Sequence, residues 1–205
     1  MTNYNPPRMS DVATVLYPAA EIGRRVGELG SAISSDYRTR TPVLISVLKG
    51  GFVFLADLLR QIRGPVAVEF MSISSYAGQG ESLGRVRILK DLDRDIGGQD
   101  VLIVEDIVDT GLTLSYLISV LQARGPSSVS VCTLLDKSVR RIAPLEIAYA
   151  GFVCPDRFVV GYGLDYLERY RNLPDILAIE DMAALTADPD LLMPLLRVPG
   201  AAEEP

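Results

Sequence analysis

The chain reads as α/β, a central, mostly parallel twisted sheet flanked by helices, and three observations carry that reading. Residues 101–104 are a wholly apolar run, Val-Leu-Ile-Val, the pattern of a strand buried on both faces. Leu114, Leu117, Ile118 and Leu121 follow at helical spacing, and Gly125 and Pro126 close that helix before a second apolar run at 128–135. Strand, helix and strand in succession make a right-handed βαβ unit by default, which places the two strands parallel in one sheet. Thirdly, residues of unusual chemistry recur at the expected strand ends, where open α/β sheets bind ligands: Lys49 to Gly51, Ser75 and Tyr76, Glu105 to Thr113, Lys137 and Asp165.

Taken in order, residues 1–10 are expected as a flexible arm. Val15, Ile22, Val26 and Leu29 give residues 11–34 a helical period. Pro42 introduces a short buried strand at 43–47, and Lys49, Gly50 and Gly51 turn into a helix ending near Ile62. A strand at 66–73 leads to a polar, glycine-rich stretch, 77–84, with the composition of a mobile loop. Residues 85–89 alternate as a strand and 91–98 form a turn before the central strand. Shorter strands are expected at 146–152 and 158–161. Residues 11–185 should form one domain. Residues 186–205 hold Pro189, Pro194, Pro199, Gly200 and Pro205 and read as a tail, with at most a weak helix at 191–196.

Bulk chemistry narrows the function. Lys plus Arg number 20 against 26 Asp plus Glu, a net charge of -6, the wrong sign for nonspecific attraction to nucleic acid or anionic lipid. No apolar leader precedes Asp11, and the most apolar stretch, 43–62, is interrupted by Lys49, two glycines and Asp57. Cys132 and Cys154 fall in apolar runs, where a buried small hydrophobe fits better than a disulfide, so a reducing, cytoplasmic setting is expected. The chain has no histidine, which argues against a zinc site and removes the usual general base. Chemistry must then rest on carboxylates, Lys, Arg, Tyr and metal. Asp91 to Asp95 is no calcium loop, since Ile96 and Leu102 stand where an EF-hand needs glycine and glutamate. A P-loop is absent, and Gly161 and Gly163 lack the third glycine of a dinucleotide fingerprint.

The central segment carries most of the signal. Its apolar strand ends in Glu105, Asp106 and Asp109, and Thr110, Gly111, Leu112 and Thr113 open the following helix. Unpaired N–H groups at a helix N-terminus attract phosphate, while the acids should face another part of the ligand, one bearing protons or positive charge. A sugar phosphate satisfies both demands.

This segment resembles the phosphoribosyl-diphosphate (PRPP) motif of type I phosphoribosyltransferases. Further matches over about residues 12–181 make the chain similar to the 6-oxopurine, hypoxanthine-guanine group of that family. The resemblance implies the type I fold, with a small hood drawn from the N-terminal segment and about 150–185. It also implies a purine salvage activity that transfers the 5-phosphoribosyl group of PRPP to hypoxanthine and/or guanine, releasing pyrophosphate. Glu105 and Asp106 would hold the ribose hydroxyls, Thr110 to Thr113 the 5′-phosphate, and Asp109 would act as general base on the purine. Lys49, Gly50 and Arg171 would hold pyrophosphate, with the Leu48–Lys49 peptide often cis in relatives. Lys137 would donate to the purine O6, with Phe158 and Val159 stacking on and flanking the base and Asp165 beside them. Asp165, Glu105 and Asp106 would help to bind Mg²⁺. Ser75 and Tyr76 would begin a loop that closes over the site, and the protein would assemble as a dimer or tetramer. Leu112 departs from the polar residue common at its position, as Ser138 does from a proline. A PRPP-sensing regulator of the same fold remains an alternative, weakened by the acidic charge. A PRPP synthetase would leave Lys137, Phe158 and Val159 without a purpose.

Overall fold

A computed structural model describes residues 9–76 and 85–196; the loop expected at 77–84, residues 1–8 of the expected arm and residues 197–205 of the tail lie outside them. The elements are α1 (Met9–Val12), β1 (Ala13–Tyr17), α2 (Ala19–Asp36), β2 (Val43–Leu48), α3 (Phe52–Gln61), β3 (Ala67–Tyr76), β4 (Arg85–Lys90), β5 (Asp100–Val108), α4 (Leu112–Gln122), β6 (Ser128–Asp136), β7 (Tyr149–Val153), β8 (Phe158–Val160), β9 (Ile176–Ile179) and α5 (Met182–Ala187). They divide between two compact units, Gly23–Asp156 and Met1–Ile22 with Arg157–Pro205. No helix among the described residues is long and apolar enough to cross a membrane.

The larger unit holds a six-stranded sheet in the order β4-β3-β2-β5-β6-β7. Every neighbouring pair is parallel except β3 and β4. Central strands β2 and β5 are apolar on both faces because both faces are covered. Val43, Ile45, Val101, Ile103 and Val131 join Leu114, Leu117 and Leu121 of α4 in one core cluster. Leu44, Leu102 and Val104 alternate with them and are fully buried. On that side α3 runs against β2 and β5, with Phe54, Leu55 and Leu58 buried. Each such side chain contributes about 1.5–3 kcal/mol by leaving water.

The outer edge of the sheet is closed from α2. Arg25 donates from Nε to the Gly151 carbonyl at 2.8 Å and from Nη2 to the Ala150 carbonyl at 2.7 Å, occupying acceptors that an edge strand would otherwise expose. The strand expected at 146–152 begins only at Tyr149.

The smaller unit is an antiparallel sheet, β1-β9-β8, over a core containing Val12, Val160, Tyr170, Leu173, Ile179 and Leu185. Here the expected helix at 11–34 is wrong in its first part. Residues 13–17 form a strand paired with β9, and helix α2 starts only after Pro18, whose carbonyl receives the amides of Glu21 and Ile22. The weak helix expected at 191–196 is a 3-10 turn at Met193–Leu196. Leu192, expected in the tail, is fully buried in this unit's core.

Gly30 tests the α2–α3 packing in the larger unit. A Cβ there would stand 2.4 Å from Gln61 Cβ and 2.9 Å from its backbone carbon. Helix propensity alone favours alanine by about 1 kcal/mol, but overpacking against backbone costs about 1–3 kcal/mol. Gly30→Ala is therefore expected to lower the denaturation midpoint, and a raised midpoint would contradict this packing.

Candidate active site

The site lies in the larger unit, at the carboxyl end of β5. That strand runs on through Val108, four residues beyond the expected apolar run, so Glu105 and Asp106 sit within it and Asp109 just past it. Glu105, Asp109, Thr110, Gly111 and Thr113 line a cavity of about 250 Å³ floored by Val47, Ile73 and Val108.

Asp106 points away from the Glu105 side, as alternation on a strand requires. Its carboxylate lies against Gly50, where a Cβ would stand 1.7 Å from Asp106 Oδ2. Only glycine leaves room for the acid there. The Leu48–Lys49 peptide just before it is cis, the geometry that the sequence resemblance implies. Asp106 Oδ1 accepts the Ile107 amide at 2.8 Å.

Gly111 begins α4 in a left-handed conformation, φ 81°, with no side-chain cap on the helix. A Cβ on it would meet Arg141 Cδ at 2.9 Å, so backbone shape and crowding both require glycine. Thr110 Oγ1 offers the Leu112 amide only a long contact of 3.5 Å. Thr110, Gly111, Thr113 and Leu114 line the cavity, so the uncapped start of α4 lies at its wall, a position suited to an anion. Because backbone supplies the donors there, Leu112, 53% exposed, does not obstruct them.

Lys137 follows β6 and is almost wholly buried, with Nζ 3.3 Å from Asp156 Oδ1. Its amide donates to the Val108 carbonyl at 2.9 Å, tying it to the end of β5. Two arginines absent from the expected site complete the group. Arg141 donates from Nε to the Asp109 carbonyl at 3.2 Å and pairs with Asp136. Arg140 lies 3.6 Å from Asp109 Oδ1 and 3.7 Å from Asp156 Oδ1. Asp109 Oδ1 is buried without a hydrogen bond. Only the crowding of basic residues just after Lys137 hinted at these partners in sequence.

The remaining expected residues divide by unit. Lys49 is exposed beside Gly50, and Ser75 and Tyr76 lie in the backbone of β3. In the smaller unit Phe158 is 42% exposed and meets Tyr166 edge-on at 5.9 Å, while Val159 is buried. There Asp165 and Arg171 pair with each other at 2.7 Å, and Arg171 also donates to the Gly163 carbonyl at 2.8 Å. Arg171 Nε is buried without a hydrogen-bond partner.

Burial pushes the Glu105 carboxyl well above the usual 4.5, and the neighbouring Asp106 charge adds to the rise. The folded chain therefore keeps this proton after the unfolded chain has released it. Stability falls as pH rises from about 4.5 to the folded-state value and is level above it. Glu105→Gln carries no such loss, so it should raise Tm at pH 7.5 by about 2–4 °C for each 1 kcal/mol relieved. The gain should shrink toward pH 4.5. A pH-independent difference between the two melts would remove Glu105 as its source.

Comparison with known proteins agrees with this geometry. The family model described as "Phosphoribosyl transferase domain" matches residues 13–167. Hypoxanthine-guanine phosphoribosyltransferase of Mycobacterium tuberculosis (strain ATCC 25618 / H37Rv) is 54% identical over 169 residues, covering 80% of this chain and 84% of that one. Its counterpart from Bacillus subtilis (strain 168) is 48% identical over 166 residues, covering 81% and 92%. A crystal structure of hypoxanthine-guanine phosphoribosyltransferase from Bacillus anthracis superposes with a TM-score of 0.78 at 45% identity, over 82% of this chain and 98% of that one. Hypoxanthine phosphoribosyltransferase from Trypanosoma cruzi, in a ternary substrate complex, gives 0.78 at 42% identity, over 83% and 96%. With its mostly parallel sheet, its carboxylate-rich strand end and these relatives, the chain belongs to the phosphoribosyltransferase family.

Proposed function

We propose that this protein is a purine salvage enzyme that transfers the 5-phosphoribosyl group of PRPP to hypoxanthine or guanine, giving IMP or GMP and pyrophosphate. The observation that carries this reading is the junction at the end of β5. Carboxylates, an uncapped helix start and a buried lysine meet there within one unit. The names of relatives about half identical to the chain support the same reaction.

In this reading the amides of Gly111 to Thr113 and the hydroxyls of Thr110 and Thr113 take the 5′-phosphate. Glu105, which lines the cavity, takes a ribose hydroxyl, and Asp106, against Gly50, is the acid that the family resemblance assigns to the other. Departure of diphosphate builds positive charge on the ribose ring, and nearby carboxylates stabilise that charge. Opposite charges about 4 Å apart interact by roughly 4 kcal/mol at an effective dielectric of 20, about a thousandfold in rate. Burial favours the protonated form of Glu105, and a cationic centre beside it would shift it back toward the carboxylate. Asp109 receives the proton from the purine ring nitrogen as general base, the role left open by the absence of histidine. Lys137 donates to the purine O6, and Lys49 and Gly50 hold the diphosphate. Stacking by Phe158 with Val159, and a diphosphate contact from Arg171, are what the family resemblance implies for the smaller unit.

The carboxylate donors suit Mg²⁺, a hard ion usually held by one or two carboxylates together with substrate phosphate oxygens. Glu105 and Asp106 are the residues of the larger unit that would hold it together with substrate oxygens, Asp165 being a ligand only as the family resemblance implies, and when bound it would neutralise charge on the diphosphate. The two buried free thiols, Cys132 and Cys154, suit the reducing cytoplasm that this reading assigns. Dimers or tetramers are the assemblies that the family resemblance implies.

Pyrophosphate release is the test. Protein with PRPP, Mg²⁺ and hypoxanthine or guanine should release it, and no release with any purine base would refute the activity. Asp109→Asn should slow single-turnover chemistry by about 10²–10⁴-fold while PRPP affinity changes little. An unchanged single-turnover rate would exclude Asp109 as the base.

A further inference from the structure

We propose that Arg140 is a positioning residue that holds the Asp109 carboxylate and the Lys137 ammonium in fixed register for the purine, acting on the lysine through Asp156. This rests on the reading of Asp109 and Lys137 as the pair that meets the base.

The argument begins with local geometry. Ser138–Arg140 form one 3-10 turn, in which the Arg140 amide donates to the Lys137 carbonyl at 3.0 Å. Three residues make one turn of such a helix, so side chains three apart stand one above the other. Lys137 and Arg140 therefore emerge on the same side, and both reach Asp156 Oδ1, at 3.3 and 3.7 Å. Arg140 spans from that oxygen to Asp109 Oδ1, 3.6 Å from its Nε. One guanidinium fork can meet two carboxylates in this way, as a lysine's point charge cannot.

The neighbouring arginine divides the work. Arg141 grips the Asp109 main chain and pairs with Asp136, while Arg140 addresses the Asp109 side chain. Asp109 Oδ1 is buried and makes no hydrogen bond, and the Arg140 Nε stands 3.6 Å from it. Arg140 and Asp109 are 49% and 43% exposed, and a pair so wetted adds little to stability. Its consequence is orientation of the base.

A double-mutant cycle in kcat tests this, with the purine KM and the PRPP KM measured alongside. Arg140→Gln should lower kcat by about tenfold to a hundredfold, as a misplaced reactive group does, and leave the PRPP KM within about twofold. In the Asp109→Asn background the same change should cost several-fold less than in the wild type, because the carboxylate it orients is gone and only its effect on Lys137 through Asp156 is left. Arg140→Lys, which keeps the charge and shortens the fork, should recover part of the loss; it is also the variant to measure if the glutamine protein folds poorly. Full additivity of Arg140→Gln with Asp109→Asn, or unchanged kcat in the single variant, overturns the positioning role while leaving Asp109 as the base. No effect of Asp109→Asn removes the underlying reading and the proposal with it.

Discussion

Everything in the site depends on keeping carboxylates crowded at the end of a buried strand. β5 is fully buried from Val101 to Val104 and then carries Glu105 and Asp106 before leaving the sheet at Asp109. Burial and the adjacent Asp106 charge hold the Glu105 proton on, which marks this strand end as electrostatically unfavourable in the free protein. The surrounding fold tolerates the arrangement by removing side chains elsewhere. Gly50 leaves space for the Asp106 carboxylate, and Gly111 leaves space for Arg141, whose guanidinium fixes the Asp109 backbone. Gly50 and Gly111, expected from sequence as ligand-binding positions, are also required by the neighbours they admit.

The parallel sheet explains why these groups meet. Because β2, β5 and β6 run in the same direction, their carboxyl ends lie along one rim. The Lys49–Gly51 turn, the Asp109–Thr113 loop and Lys137 are the continuations of those strands. Amides at the start of α4 add partial positive charge beside side-chain negative charge. Such juxtaposed polarity suits a ligand with an anionic terminus and a centre that becomes cationic, and it serves an uncharged metabolite poorly.

Much of this was legible in the sequence because its signals were local. Four apolar residues at 101–104, helical spacing from Leu114 to Leu121 and the run at 128–135 each carry their own periodicity, and β5, α4 and β6 appear where those patterns stand. What failed depended on distant pairing. Val15, Ile22, Val26 and Leu29 suggest one helix, yet residues 13–17 are recruited as a strand by β9, with Ala13 opposite Ile179. Nothing near residue 13 announces that partner. β9 is only four residues long, and its burial comes from the small sheet it joins. Leu192 looked like tail for the same reason, its core being assembled from remote residues. Within the site, the acids, Gly111 and Lys137 announced themselves by type and position. Arg140 and Asp156 did not, because exposed charges are common and only the 3-10 turn brings them onto Asp109 and Lys137.

The central claim is that one end of β5 receives a pentose phosphate, with its phosphoryl group on the α4 amides and its hydroxyls on Glu105 and Asp106. A crystal structure of the protein with IMP or GMP measures this directly. The account predicts phosphate oxygens within hydrogen-bond distance of the amides of Gly111 to Thr113, and ribose hydroxyls on the two acids. A nucleotide bound with its phosphate away from those amides, or its ribose clear of Glu105 and Asp106, would contradict it.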